Sequence, residues 1–181
     1  VEKIMCDDDI KQFADHFDGW LLKDIRIVLG LEDYYENKSK PDRRSLNCHK
    51  PFVAAVILTC CGIDTLAKFR YGQLKGNVGV YFKKLIKDYF PKKYNSDDIY
   101  CGLRNYLVHG YSLNPCLGLK HQDRKLHLKN ICNRTIIDVY CFYEDLEKAF
   151  KKYNKQLLKG LYRREFILRW KLYPLISHRP C

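Results

Sequence analysis

The run Phe52-Val-Ala-Ala-Val-Ile-Leu-Thr-Cys-Cys-Gly-Ile63 constrains what this chain can fold into more than any other stretch. Pro51 suits the first position of a helix, and apolar side chains continue at helical spacing to about Phe69. A helix on the outside of a globule keeps one polar face, whereas this one is apolar nearly all round. Other elements must therefore surround it. The uninterrupted apolar run is too short to cross a bilayer, so it reads as a core helix and no membrane partner is expected.

The other segments supply that surrounding layer. Ile10, Phe13, Ala14, Phe17, Leu21, Ile25 and Val28 recur at helical spacing after an aspartate-rich start, and Gly30 is a natural stop. Residues 31–50 are polar and read as a loop. A helix over about Val78–Tyr89 ends at Pro91, and Asn95-Ser-Asp-Asp98 offers caps for another over about Asp97–Val108. Lys125–Ile131 alternates Leu126 and Leu128 with polar residues and predicts one short strand. A long helix is expected from about Thr135 to Lys159, with Ile136, Val139, Tyr143, Leu146, Phe150, Tyr153 and Leu157 on one stripe. After Gly160 a last, basic helix runs to about Leu172. No repeat or linker divides the chain. Residues 1–181 are thus expected to form a single all-α helical bundle, with a short β-like insert before the long C-terminal helix.

Nine cysteines include no Cys-x-x-Cys pair, and histidines do not gather near them at zinc-like spacing. Cys60, Cys61, Cys101 and Cys141 fall inside apolar helical patterns, where a thiol acts as a small hydrophobe, so buried, reduced cysteines and no metal site are expected. The opening VEKIMCDDDI places acids where a secretory leader would place basic residues. Both features predict a cytoplasmic protein.

The formal net charge of +12 is uneven. From Glu147 to Cys181 ten Lys/Arg stand against two acids, interleaved with Phe150, Tyr153, Tyr162, Phe166 and Trp170, while the first thirty residues are rich in aspartate. Such a basic end fits either a nucleic-acid footprint or a solvated helix surface.

Within this frame Leu103-Arg-Asn-Tyr-Leu-Val-His-Gly-Tyr-Ser112 stands out. On an α-helical wheel Ile99, Leu103, Tyr106 and Leu107 form one apolar face that should enter the bundle. Arg104 and His109 fall about 140° apart on the far side, with Cys101, Asn105 and Val108 between them. That far side carries no Lys or Glu, which suits a groove or a subunit contact better than open water. Gly110 is placed to turn the chain and bring Tyr111 alongside. A second Arg-x4-His, Arg44–His49, lies in the polar loop without a neighbouring Asn or Tyr and reads as coincidence.

The chemistry that fits this set is cofactor-free cleavage of RNA, in which the ribose 2′-OH attacks the adjacent phosphate. A histidine can move the proton. An arginine offers a planar fork to the phosphate oxygens. Asn105 can hold the phosphate or orient the imidazole, and Tyr111 can hydrogen-bond or stack on a base. Asp64, one residue past the apolar run, is costly to bury without a partner. Two partners remain open: a backbone amide or Thr65, or else Arg104 or His109, in which case Asp64 orients the site. The histidines His16, His49, His121, His127 and His178 share no spacing and read as surface residues.

Arg104-Asn105-x-x-x-His109-x-Tyr111 resembles the Arg-x4-His-x-Tyr signature of the HEPN superfamily. The order of elements resembles it too: an apolar second helix, a helix ending in the motif, and a long closing helix. The resemblance implies a HEPN-like bundle that forms a homodimer, with motifs from two subunits lining one cleft and the Cys101/Val108 strip between them. It further implies a metal-independent endoribonuclease acting on RNA in a toxin–antitoxin or defence setting. Arg104 and His109 would be catalytic, with Asn105, Tyr111 and Asp64 supporting. Some members pair with a small nucleotidyltransferase antitoxin that modifies the motif tyrosine, here Tyr111. Others keep the fold without catalysis and bind nucleotide, RNA or a protein partner, which is the alternative function for this chain. A purely structural role, with Arg104 and His109 as ordinary helix-end residues, is the third.

Overall fold

The computed structural model describes residues 7–31, 51–72, 76–121 and 123–172. Most of the 31–50 loop, with its Arg44–His49 copy, and the end of the basic tail lie outside the described residues. The first helix runs as α1 (Asp7–His16), a π-helical segment (Phe17–Leu22) and α2 (Lys23–Leu29). Asp7, Asp8 and Asp9 sit in its first turn, where carboxylates favour the positive end of the helix dipole. Gly30 closes it in the left-handed conformation, φ 66°.

The apolar helix, α3 (Phe52–Tyr71), lies at the centre. By length and composition alone it could cross a membrane. In the fold Ala55, Val56, Cys60, Ile63, Leu66, Ala67 and Phe69 are buried within one core that extends from Ile10 to Phe166. Gly62 permits the approach of α6 (Val139–Leu158), since a Cβ there would stand 2.6 Å from Leu146. α4 (Val78–Tyr89) packs beside α3 and ends with Phe90 extended ahead of Pro91. Asn95 Oδ1 then accepts from the amides of Asp97 and Asp98 and starts the motif helix.

That motif helix is π-helical from Asp98 to Asn105 and closes as α5 (Tyr106–Gly110). The wider i→i+5 turn advances each residue by less than an α-helix does and rotates everything downstream. Ile99, Leu103 and Leu107 enter the core as their spacing predicts, but Tyr106 does not: it is 43% exposed.

The structure is predominantly helical, with a small three-stranded sheet before α6. The strand expected over Lys125–Ile131 forms only at its end. The strands are β1 (Leu117–Lys120), β2 (Asn130–Ile131) and β3 (Arg134–Asp138), in the order β1-β3-β2. β1 pairs parallel with β3, and β2 pairs antiparallel with it, Ile131 opposite Arg134. Cys132 and Asn133, both with positive φ, make the two-residue hairpin turn. The long helix therefore begins four residues later than its periodicity suggests. The β-branched run Thr135-Ile-Ile137 goes into β3, and Asp138 caps α6 by accepting from the Cys141 amide at 2.9 Å.

His127 is not a surface residue. Its side chain is 11% exposed and joins a polar network linking the insert to α6. The Asp138 amide donates to His127 Nδ1 at 3.0 Å, which places the ring proton on Nε2. That Nε2–H meets Tyr94 Oη at 2.8 Å, and Tyr94 in turn donates to Asp145 Oδ2 at 3.0 Å.

The last helix, α7 (Arg163–Leu172), packs chiefly on α3, where Phe69 meets Phe166 and Trp170, and its side chains also reach α1. Phe166 stacks with Trp170 and packs edge-on to Phe13. Arg163 pairs with Asp7 at 2.8 Å, and Trp170 Nε1 donates to Asp9 at 3.2 Å. The acid-rich beginning and the start of the basic end, far apart in sequence, thus partly neutralise one another.

Candidate functional site

Asp64 reaches the motif from the buried helix. Its Oδ2 accepts from Arg104 Nε at 3.1 Å and from Nη2 at 2.9 Å, while its Oδ1 is buried without a hydrogen-bond partner among the described residues. Burial pushes the Asp64 carboxyl above the usual carboxylate range, and the attraction and hydrogen bonds of Arg104 offset only part of that. For Arg104, burial works against the charge, but Asp64 outweighs it and holds the guanidinium firmly protonated. Of the partners left open by the sequence, Asp64 takes Arg104.

Asp64 holds the guanidinium by Nε and Nη2 and leaves Nη1 to other partners. Asn105 Oδ1 accepts from Nη1 at 3.0 Å, so Asn105 steadies the arginine. The same Nη1 lies 3.5 Å from His109 Nε2. On the α-helical wheel these side chains diverge. A wider turn at the Arg104 end brings five residue steps closer to one revolution, and the long arginine side chain covers the rest. A guanidinium only donates, so Nε2 accepts from it only through a lone pair, and a lone pair at that nitrogen is what a general base uses. An anion reaching Arg104 would meet the remaining Nη2–H and the guanidinium charge, with His109 Nε2 beside them.

Tyr111 is placed differently from the expectation. Gly110 remains helical, and Tyr111 itself takes the left-handed turn, φ 48° and ψ 35°, with its amide donating to Leu107 O at 3.1 Å. Its side chain is 70% exposed and makes no hydrogen bond among the described residues. Such a conformation is strained for a residue with a Cβ.

Tyr100 was not singled out by sequence, although it stands four residues before Arg104, a spacing at which helix neighbours meet. Its ring centroid is 5.7 Å from the Arg104 guanidinium carbon, and the ring rests against Gly79, where a Cβ would lie 2.6 Å away. Two of the cysteines expected to be buried are exposed: Cys61 on α3 and Cys101 on the motif helix, while Cys60 is buried and Cys141 half-buried. A full core leaves the outer turn of each helix uncovered. With Val108 at 40% exposure and Tyr106, the motif helix presents apolar groups to the outside. Among the described residues no three His, Cys, Asp or Glu side chains converge as metal ligands. No family model matches the chain, nor does any curated protein or solved structure.

Proposed function

We propose that this chain is a metal-independent endoribonuclease of the HEPN type. The observation that supports it best is an anchored guanidinium beside an imidazole: Asp64 and Asn105 hold Arg104, and its Nη1 lies 3.5 Å from His109 Nε2. In this reading the phosphate binds beside the Arg104 guanidinium, and His109 takes the 2′-OH proton as the ribose oxygen attacks phosphorus. The P–O5′ bond then breaks, the 5′-oxygen taking a proton from water, and a 2′,3′-cyclic phosphate and a 5′-hydroxyl are left. The exposed Cys101, Tyr106 and Val108 are the surface for a second copy, which would bring two motifs to one cleft. Tyr111, in the open beside that cleft, is accessible to a base or to a modifying nucleotidyltransferase. The setting is a toxin–antitoxin or defence system in the cytoplasm.

Incubation of dimeric protein with total RNA in EDTA tests this. Wild type is expected to cleave, and His109→Ala and Arg104→Lys are expected to lose cleavage while keeping the fold. Folded, dimeric wild type that cuts nothing would turn the site into a binding site, and activity persisting in both variants would remove these residues from the chemistry.

A further inference from the structure

Among the described residues Arg26, Lys83, Arg104, Arg124, Lys148, Lys151 and Arg163 have carboxylate partners. Lys84 and Lys152 have none among the described residues. Lys84 Nζ lies 4.7 Å from the centroid of the Tyr71 ring. Lys152 Nζ lies 4.8 Å from that of Tyr89 and donates to the main-chain oxygen of Asp88 at 3.1 Å. Ring faces and a carbonyl position an ammonium without cancelling its charge.

The scaffold beneath them is tied together. Tyr71 donates to Asp88 Oδ2 at 2.7 Å, Arg70 Nε donates to Tyr89 Oη at 2.7 Å, and Tyr89 donates to Gln156 at 2.7 Å. The end of α3, the outer face of α4 and the middle of α6 therefore form one fixed ledge. Exposed Lys87, one turn beyond Lys84, and exposed Lys155, one turn beyond Lys152, extend it along both helices. Asp88 is the acid within it, and Glu165 of α7 packs against Gly72 at its edge.

A single small anion needs donors that converge on one point. Here uncancelled charge is spread along two helices in steps of about one turn, about 5.4 Å, which suits a repeating phosphodiester. We infer that this lysine ledge binds the phosphate backbone of single-stranded RNA. The choice of RNA rests on the ribonuclease reading above, but the position of the ledge does not. It places the RNA contact on α4 and α6, whereas at the start of α7 Arg163 is taken up by Asp7.

The test is fluorescence anisotropy of a short labelled 2′-O-methyl RNA, which cannot be cleaved by 2′-OH attack, titrated with the full chain over a range of salt. Lys84→Glu/Lys87→Glu/Lys152→Glu is expected to weaken binding about tenfold or more and to reduce the log–log salt slope by about 2. The glutamine triple at the same positions should show a smaller loss in the same direction. Lys11→Glu/Lys125→Glu/Lys129→Glu reverses equal charge elsewhere and should stay within about twofold of wild type. Wild-type binding by the ledge variant, or equal loss in both glutamate triples, overturns the inference. So does polyglutamate of matched charge competing as well as unlabelled RNA, which would mark an acidic protein as the ligand. Since the probe is uncleavable, loss of ledge binding with total-RNA cleavage intact sinks only the ledge. Ledge binding without cleavage sinks only the ribonuclease reading.

Discussion

Asp64 and Arg104, forty residues apart, meet through a single carboxylate oxygen that accepts both Nε and Nη2 at 3.1 and 2.9 Å. The pair is asymmetric: the Asp64 side chain is 10% exposed and that of Arg104 19%. Removing the arginine leaves a carboxylate buried alone, whereas removing both leaves only a volume to fill. Arg104→Ala should therefore cost about 3 kcal/mol in urea unfolding, and Asp64→Leu/Arg104→Met clearly less. Costs that simply add in the double variant would show that the pair does not act as a unit.

The acid response of stability separates two buried aspartates. Asp64 has a raised carboxyl pKa because burial dominates, so the folded state binds its proton more tightly than the unfolded chain. Its contribution therefore weakens as pH rises from the unfolded value, about 3.9, through the folded one. Burial also works on Asp145, but the nearby His127 ring, the Lys148 charge and the hydrogen bonds from Lys148 and Tyr94 outweigh it and hold the carboxyl below the usual range. Its contribution is present above the unfolded value and lost as pH falls through the folded one. Relative to Asp64→Asn, wild type should gain stability on acidification toward about pH 4; relative to Asp145→Asn, it should lose stability below about pH 4. Parallel curves for all three proteins would contradict both assignments.

Tyr111 occupies a left-handed turn with its ring in solvent. Glycine adopts that conformation without the Cβ penalty, so Tyr111→Gly should raise stability by about 1 kcal/mol. If the tyrosine serves RNA or is modified, the same variant should lose function while it gains stability. A destabilised Tyr111→Gly in thermal unfolding would show that the ring makes contacts that outweigh the strain.

His127 bridges the insert to α6 as the Nε2–H tautomer. Nitrogen-15 chemical shifts of the imidazole should show Nδ1 unprotonated at neutral pH. His127→Leu leaves the Asp138 amide without its acceptor and Tyr94 with Asp145 alone, and should cost about 2–3 kcal/mol; His127→Asn, which can still accept from that amide, should cost less. Equal costs would mean that packing, not hydrogen bonding, fixes the histidine.

Local signals carried much of this fold. Helical spacing located α1, α2, α3 and α4, Gly30 and Pro91 marked ends, and Asn95 marked a start, because each depends on chain neighbours. The all-apolar stretch from Phe52 required a central helix, and burial next to it made Asp64 need a cation or a donor. Which partner it took, and where the motif side chains point, was decided by tertiary structure. A π-helical register turned Tyr106 outward, and the reach of the arginine side chain set Arg104 beside His109. Parallel pairing with β1 took Thr135–Asp138 from the helix that their spacing also fitted, and the same sheet closed over His127. Packing of α7 beside α1 paired Arg163 with Asp7, while Lys84 of α4 and Lys152 of α6 came to rest over tyrosine rings without a carboxylate partner among the described residues. Periodicity reports which side of an element is apolar; which groups face each other across elements depends on contacts between residues far apart in the chain, and those form only when the core closes.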